Sequence, residues 1–255
     1  MQISDSLRER WQLTDVKELR PQRVCQAQSR LYGPVIVKRE PDPELLHREY
    51  ETLSRMAGTA CRVYDRAGDL LLEERILPGT SLREEKNPET RLEVLARILE
   101  NLHTPETEGK TYLDWLDTAC EHTKVPSLKE MGEKARRICR ELFAKYPDTV
   151  LLHGDLHHDN ILRRWDGSYG VIDPKGIIGP AIMDLPRFLL NEPLDAVPFD
   201  MLWLAGRLGY PVADIRGAYY VEAVLANLWL AEDGLPLWED RVSMAEKLLE
   251  DGYGD

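Results

Sequence analysis

The sequence changes its hydrophobic period once, at the breaker cluster LPGTS over residues 77–81, and that change restricts the fold more than any other feature. Before it, short runs suited to extended chain alternate with turn residues. RVCQAQ (23–28) and PVIVKRE (34–40) flank a link over 29–33 that ends in Gly33 and suits a hairpin. CRVYDR (61–66) and LLLEERI (70–76), separated by Ala67, Gly68 and Asp69, make two further strands. Between these pairs a helix opens at Asp42-Pro43, a cap-type residue followed by proline at the first helical position. Leu45, Leu46, Tyr50, Leu53 and Met56 then recur at helical spacing. After the breaker the helical period takes over. Leu92, Leu95, Ile98, Leu99 and Leu102 mark a helix over 88–103, and more helices are expected over 111–122, 127–146, 198–208, 211–232 and 236–250. One stretch, 150–173, interrupts them, with VLLH (150–153) and YGVID (169–173) reading as short strands. The expected class is α+β: a small N-terminal antiparallel sheet lobe with one helix, residues 1–76, and a larger, mainly helical C-terminal lobe, residues 77–255, with a hinge at about 74–80.

Composition narrows the partners. The formal net charge is −12, so nucleic acid is excluded as a default partner, because binding it takes a basic face. The same charge favours cationic small molecules through the long-range field. No run approaches the ~20 apolar residues of a membrane helix, and the opening MQISDSLRERWQL carries charges where a signal peptide needs its apolar stretch. No membrane partner and a cytoplasmic location are expected. Cys25, Cys61, Cys120 and Cys139 lie far apart with no C-x-x-C pair, which suits reduced thiols and not a disulfide framework or a zinc ribbon.

The chemistry concentrates in LLHGDLHHDNIL, residues 151–162. Its three histidines invite a zinc reading. However, His153, His157 and His158 do not have the H-E-x-x-H spacing that sets two imidazoles on one helix face, and no cysteine stands near to complete four ligands. Phosphoryl transfer makes a different demand: a carboxylate beside the attacking hydroxyl, an oxygen donor a few residues on, and a second carboxylate from another strand. Hard, strongly hydrated Mg²⁺ takes such oxygen ligands, and few of them. Here Asp155 and Asn160 stand five residues apart, and Asp173 ends the next apolar strand. A catalytic-loop Asp with an Asn five residues later is the kinase arrangement.

HGDLHHDN (153–160) resembles the catalytic loop of the aminoglycoside phosphotransferase family, relatives of protein kinases. VIDPKGIIG (171–179) followed by DLPRFLLN (184–191) is similar to a narrower branch, the streptomycin kinase and hydroxyurea-resistance kinase group. LLEERILPGTSL (71–82) resembles the family's hinge, and Lys38 ending VIVK with Glu49 in HREYETL resembles its nucleotide-lobe ion pair. The resemblance implies a protein-kinase-like two-lobe fold and an ATP- and Mg²⁺-dependent kinase for a small-molecule hydroxyl. Asp155 would orient and deprotonate that hydroxyl, Asn160 and Asp173 would hold Mg²⁺, and Lys38, fixed by Glu49, would reach the α- and β-phosphates. The backbone from Glu74 to Ile76 would meet the adenine edge, and His153 would brace the loop.

One part of the pattern is missing. A glycine-rich turn normally covers the phosphates, since backbone N–H groups approach phosphate closely where no Cβ intrudes. The expected place, DVKELRP over 15–21, has no glycine; Lys17 or Arg20 would supply charge there. A nucleotide-binding module without catalysis therefore stands as the alternative, beside a kinase for a metabolite or another antibiotic. For the acceptor, expected to be cationic, Asp114, Asp117 and Glu121 on one helix face, together with Glu222, Glu232 and Asp233, are the acidic candidates, although a row of acids ordinarily reads as a solvated helix face. Trp115, Trp203 and Trp229 read as core.

Overall fold

The computed structural model describes residues 1–56 and 58–250. The chain forms two compact units, one of residues 1–86 with 159–176, the other of 87–158 with the chain from 177 onward.

The first unit begins with α1 (Asp5–Arg10), then β1 (Leu13–Arg20), β2 (Val24–Ser29) and β3 (Gly33–Arg39). After α2 (Pro43–Arg55) come β4 (Val63–Ala67) and β5 (Leu70–Glu74), giving an antiparallel sheet in the order β1-β2-β3-β5-β4. The β2–β3 hairpin closes with Ser29 opposite Gly33, whose φ of 81° a side chain would resist. Strand alternation then sorts the side chains. Cys25, Ala27, Val35, Val37, Leu70 and Leu72 pack with Ile3, Trp11 and Leu13 on one face. Lys38, Leu71 and Glu73 fall on the other.

Asp42 caps α2 by accepting from the amides of Glu44 and Leu45, and Pro43 follows at the first helical position. The buried stripe of α2 is Leu46, Glu49, Thr52 and Leu53. Leu45, expected in that stripe, is exposed, because the helix turns the polar pair Glu49 and Thr52 inward instead.

The breaker cluster is itself a strand, β6 (Pro78–Ser81). The chain then crosses into the second unit with α3 (Pro88–Leu102), β7 (Thr104–Pro105), α4 (Tyr112–His122), α5 (Pro126–Lys145) and β8 (Thr149–Leu152). It returns to the first unit at Asp159 for β9 (Ile161–Arg164) and β10 (Tyr169–Val171), which build a three-stranded sheet on β6 in the order β10-β9-β6. That sheet joins β6 to residues 161–171, and the bridge between Ala60 and Val171 ties it to the rest of the first unit, which runs to residue 86 and takes in 159–176. Arg83 adds to it, gripping Asp159 through Nε at 2.8 Å and Nη2 at 2.7 Å.

The second unit resumes with β11 (Ile177–Pro180), ordered β11-β8-β7. Four helices follow: α6 (Pro186–Leu189), α7 (Val197–Leu208), α8 (Val212–Glu232) and α9 (Glu239–Glu250). Every residue of α8 from Gly217 to Leu228 is buried, so this helix is the unit's core and not an amphipathic cover. Among the described residues no helix is long and apolar enough to cross a membrane.

Candidate active site

In the first unit the site starts from Lys38. Strand β3 pairs it with Leu71 of β5, on the face where α2 presents Glu49. Lys38 Nζ stands 2.7 Å from Glu49 Oε1 and also bonds Asp173 Oδ1. Burial alone would push the Lys38 ammonium down, but the carboxylates of Glu49 and Asp173 outweigh it and hold the group above its ordinary value. Asp173 is also partly buried, yet Lys38 and Lys175, the latter 3.1 Å away, keep its carboxyl below the usual range. The Asp173 backbone is left-handed, with φ 60°, a conformation that aspartate tolerates better than most residues.

Asn160 belongs to the same unit. Its carbonyl accepts from Ile172 N–H at 3.0 Å, which brings it alongside the residue before Asp173. A carboxamide and a carboxylate are two hard oxygen donors, a set whose chemistry suits a divalent ion such as Mg²⁺. Behind Lys38 lies a group the sequence reading did not single out. Glu73 is buried on β5 and accepts from the Cys61 thiol at 3.6 Å. Burial and the neighbouring Glu49 push its carboxyl up to about 8.

Glu74 and Ile76 end this edge. The amides of Glu74 and Arg75 donate within the sheet, to Arg62 O at 2.7 Å and Pro34 O at 3.1 Å, and the Glu74 carboxylate holds Arg164. The stretch where a glycine turn was sought is strand β1 with register shifts and a tight link to β2. Asp15 and Gln22 take the left-handed positions there, at φ 53° and 57°. Lys17 and Arg20 are exposed.

The second unit carries Asp155. His153 is fully buried and its Nδ1 accepts from Asp155 N–H at 3.2 Å. The amides of His153 and Gly154 both donate to Asp184, at 2.8 Å each, and His103 Nε2 bonds the same carboxylate at 2.9 Å. Although Asp184 is completely buried, the His103 bond and these amides hold it below its ordinary value. His158 lies against Phe188 with ring centroids 3.8 Å apart and bonds Glu192 at 2.9 Å. His157 Nε2 is 3.9 Å from Asp155 Oδ2, beyond hydrogen-bond length.

Two residues absent from the expected set touch Asp155 or its support. Arg187 on α6 donates from Nε to Asp155 Oδ1 at 2.8 Å, and its Nη1 meets Glu222 Oε1 at 3.0 Å. Tyr112, at the start of α4, donates its phenol proton to Glu222 Oε2. Glu222, one of the acidic candidates, has Arg187 and Tyr112 as partners. Its signal in the sequence was an acid inside the apolar run AYYVEAVLANLWL, residues 218–230. The other acids separate. Asp114 completes the capping box of α4 with Thr111, Asp117 pairs with Arg136 at 2.7 Å, and Glu232 meets His122 at 3.2 Å. Trp115 and Trp229, read as core, are half-buried and meet edge to face at 5.4 Å.

Residues 22–207 match the aminoglycoside/hydroxyurea antibiotic resistance kinase family. A streptomycin 3''-kinase of Klebsiella pneumoniae is 28% identical over 184 residues, 68% of this chain and 65% of that protein, so the match spans a little under two thirds of the relative's length. Among solved structures, the choline kinase LicA from Streptococcus pneumoniae superposes with a TM-score of 0.69 at 17% identity, covering 97% of this chain and 98% of its own. An amicoumacin kinase, solved with AMP-PNP, Ca²⁺ and Ami, gives 0.63 at 15% identity over 96% and 91%. The fold is protein-kinase-like, and with a family match across most of its length the chain belongs to the aminoglycoside/hydroxyurea antibiotic resistance kinases.

Proposed function

We propose that this chain is an ATP-dependent O-phosphotransferase that moves the γ-phosphate of ATP to a hydroxyl of an aminoglycoside-like, cationic acceptor. The observation that carries the reading is Lys38 held between Glu49 and Asp173. A half-buried ammonium with fixed partners is pre-organised for phosphate and costs little reorganisation when it binds. The Glu74 carbonyl and the Ile76 amide are assigned to the adenine edge, since the amides of Glu74 and Arg75 donate within the sheet. Asn160 and Asp173 would hold Mg²⁺, which neutralises charge on phosphate oxygens when bound.

Asp155 orients the acceptor hydroxyl and takes its proton as the new O–P bond forms. The bond from the γ-phosphorus to the bridging oxygen breaks, and ADP leaves with that electron pair. Asp184 and His153 fix the backbone on which Asp155 stands, so the carboxylate is positioned before substrate arrives.

The test is Mg²⁺-dependent ATP consumption against a panel of aminoglycosides and other polyols, with product mass read in the same wells. One added phosphate on an acceptor, lost by at least ~10²-fold in Asp155→Asn, is the expected result. Near-normal turnover in that variant overturns the role of Asp155. The glycine-free β1–β2 link favours a second reading, a nucleotide-binding module without catalysis. ATP binding with no consumption across the panel would establish that reading instead.

A further inference from the structure

The second unit contains a chain of ionic contacts that starts in its core and ends on Asp155. Tyr112 of α4 donates to Glu222 of α8, Glu222 meets Arg187 of α6, and Arg187 donates to Asp155. Tyr112 and Glu222 are buried, whereas the Arg187 and Asp155 side chains are 21% and 16% exposed. The network therefore reaches the surface only at its Arg187–Asp155 end. Burying Glu222 is costly unless a cation pairs with it, and Arg187 is that cation. Burial pushes the Glu222 carboxyl up while the guanidinium opposes the shift.

We propose that Arg187 is the positioning and specificity-determining residue of the acceptor site. Its fork holds the Asp155 carboxylate in one orientation and sets a fixed positive charge beside the reacting hydroxyl. This rests on the phosphotransferase reading above. A guanidinium is planar, stays charged at every working pH, and offers donors in a rigid fork. With Nε on Asp155 and Nη1 on Glu222, the carboxylate cannot swing without breaking a charge-assisted bond. An acceptor with an ammonium next to the reacting hydroxyl would place two cations side by side; one with a hydroxyl there offers the fork an acceptor. The guanidinium also lies 5.7 Å over the ring of Trp229, which Trp115 meets edge to face. These half-buried rings suit the C–H face of a sugar.

Three proteins test this: the wild type, Arg187→Ala and Arg187→Lys, each melted with and without low-millimolar guanidinium chloride and each assayed on the acceptor panel. Arg187→Ala is expected to lose at least ~10-fold in kcat with the ATP KM unchanged. Guanidinium ion, bound between Asp155 and Glu222, should raise the melting temperature of Arg187→Ala but not of the wild type, and restore part of its turnover. Arg187→Lys should retain part of the rate. Relative to wild type, Arg187→Ala should shift its kcat/KM preference by ~10-fold toward acceptors with an ammonium beside a hydroxyl. A uniform loss on every acceptor, with no response to guanidinium, would reduce Arg187 to a structural pair and overturn the proposal, as would unchanged turnover. A wild type inactive on the whole panel is a separate failure, that of the phosphotransferase reading, and the proposal falls with it.

Discussion

Glu73 shows how much one buried carboxylate can tie stability to pH. It shares the inner face of the sheet with Lys38 and accepts from the Cys61 thiol, and burial, reinforced by Glu49, lifts its carboxyl to about 8. Unfolded, a glutamate titrates near ~4.3, so between those values the folded state binds the extra proton. Stability from the neutral form is therefore complete below the unfolded pKa and lost as pH rises through the folded one. Glu73→Gln keeps the shape and cannot ionise. Urea unfolding of both proteins at pH 5.5, 7.0 and 8.5 should show the wild type falling behind the variant as pH rises, at up to ~1.4 kcal/mol per pH unit, and levelling off above about 8. Parallel stability profiles would mean that Glu73 is already ionised at neutral pH. At this scale the sequence hid what matters. Glu73 reads as one more strand-end acid beside Glu74, and only the pairing of β5 between β3 and β4 buries it.

Among the elements, α2 does two things at once: it caps and packs like an ordinary amphipathic helix, and it carries Glu49. Its seating depends on Gly176, at φ 62°, where an added Cβ would meet Thr52 Oγ1 at 2.1 Å and Arg48 Cγ at 3.1 Å. Thr52 lies one turn from Glu49, so a side chain at 176 presses on the stretch of helix that positions the Lys38 partner. Gly167, in the β9–β10 turn, provides the contrast: φ 85° with nothing within 4 Å of its added Cβ. Gly167→Ala should cost about 1 kcal/mol, the backbone strain alone. Gly176→Ala should cost at least ~1 kcal/mol more through the clash and should weaken nucleotide binding, which Gly167→Ala should not. Equal costs for the two would show that α2 yields freely. The helix itself was legible from Asp42-Pro43 and the apolar spacing. Its rotation was not, because the pattern counted Leu45 and could not weigh a buried Glu49 against an exposed leucine. Likewise the acids of α4 share one face by spacing, yet Asp114 caps its own helix and Asp117 pairs with Arg136 of α5. Local spacing shows which residues share a face; it does not show what that face meets.

Across the whole molecule, the ordered donors of the catalytic stretch are divided between two compact units. Lys38, Glu49, Asn160 and Asp173 belong to the first, Asp155 with Arg187 and Glu222 to the second. Order and spacing single out Lys38, Glu49, Asp155, Asn160 and Asp173; the division rests on β9 pairing with β6 and with β10, a long-range event that spacing does not encode. It has a thermodynamic consequence: nucleotide binding and hydroxyl activation should come apart by mutation. A ligand at 100 times its Kd stabilises the state it binds by ~2.7 kcal/mol, and for a chain of this size each kcal/mol moves the melting temperature by about 2–4 °C. Saturating Mg²⁺-ATP should therefore raise the wild-type melting temperature by about 5–10 °C. Asp155→Asn should keep that rise while losing turnover. Lys38→Met should lose it, and should also start from a lower melting temperature, because breaking a buried pair leaves the Glu49 and Asp173 carboxylates without their shared cation, a loss of about 3 kcal/mol. A nucleotide shift that survives in Lys38→Met would show that the phosphates are held elsewhere in the first unit, with exposed Lys17 and Arg20 of β1 the next side chains to replace.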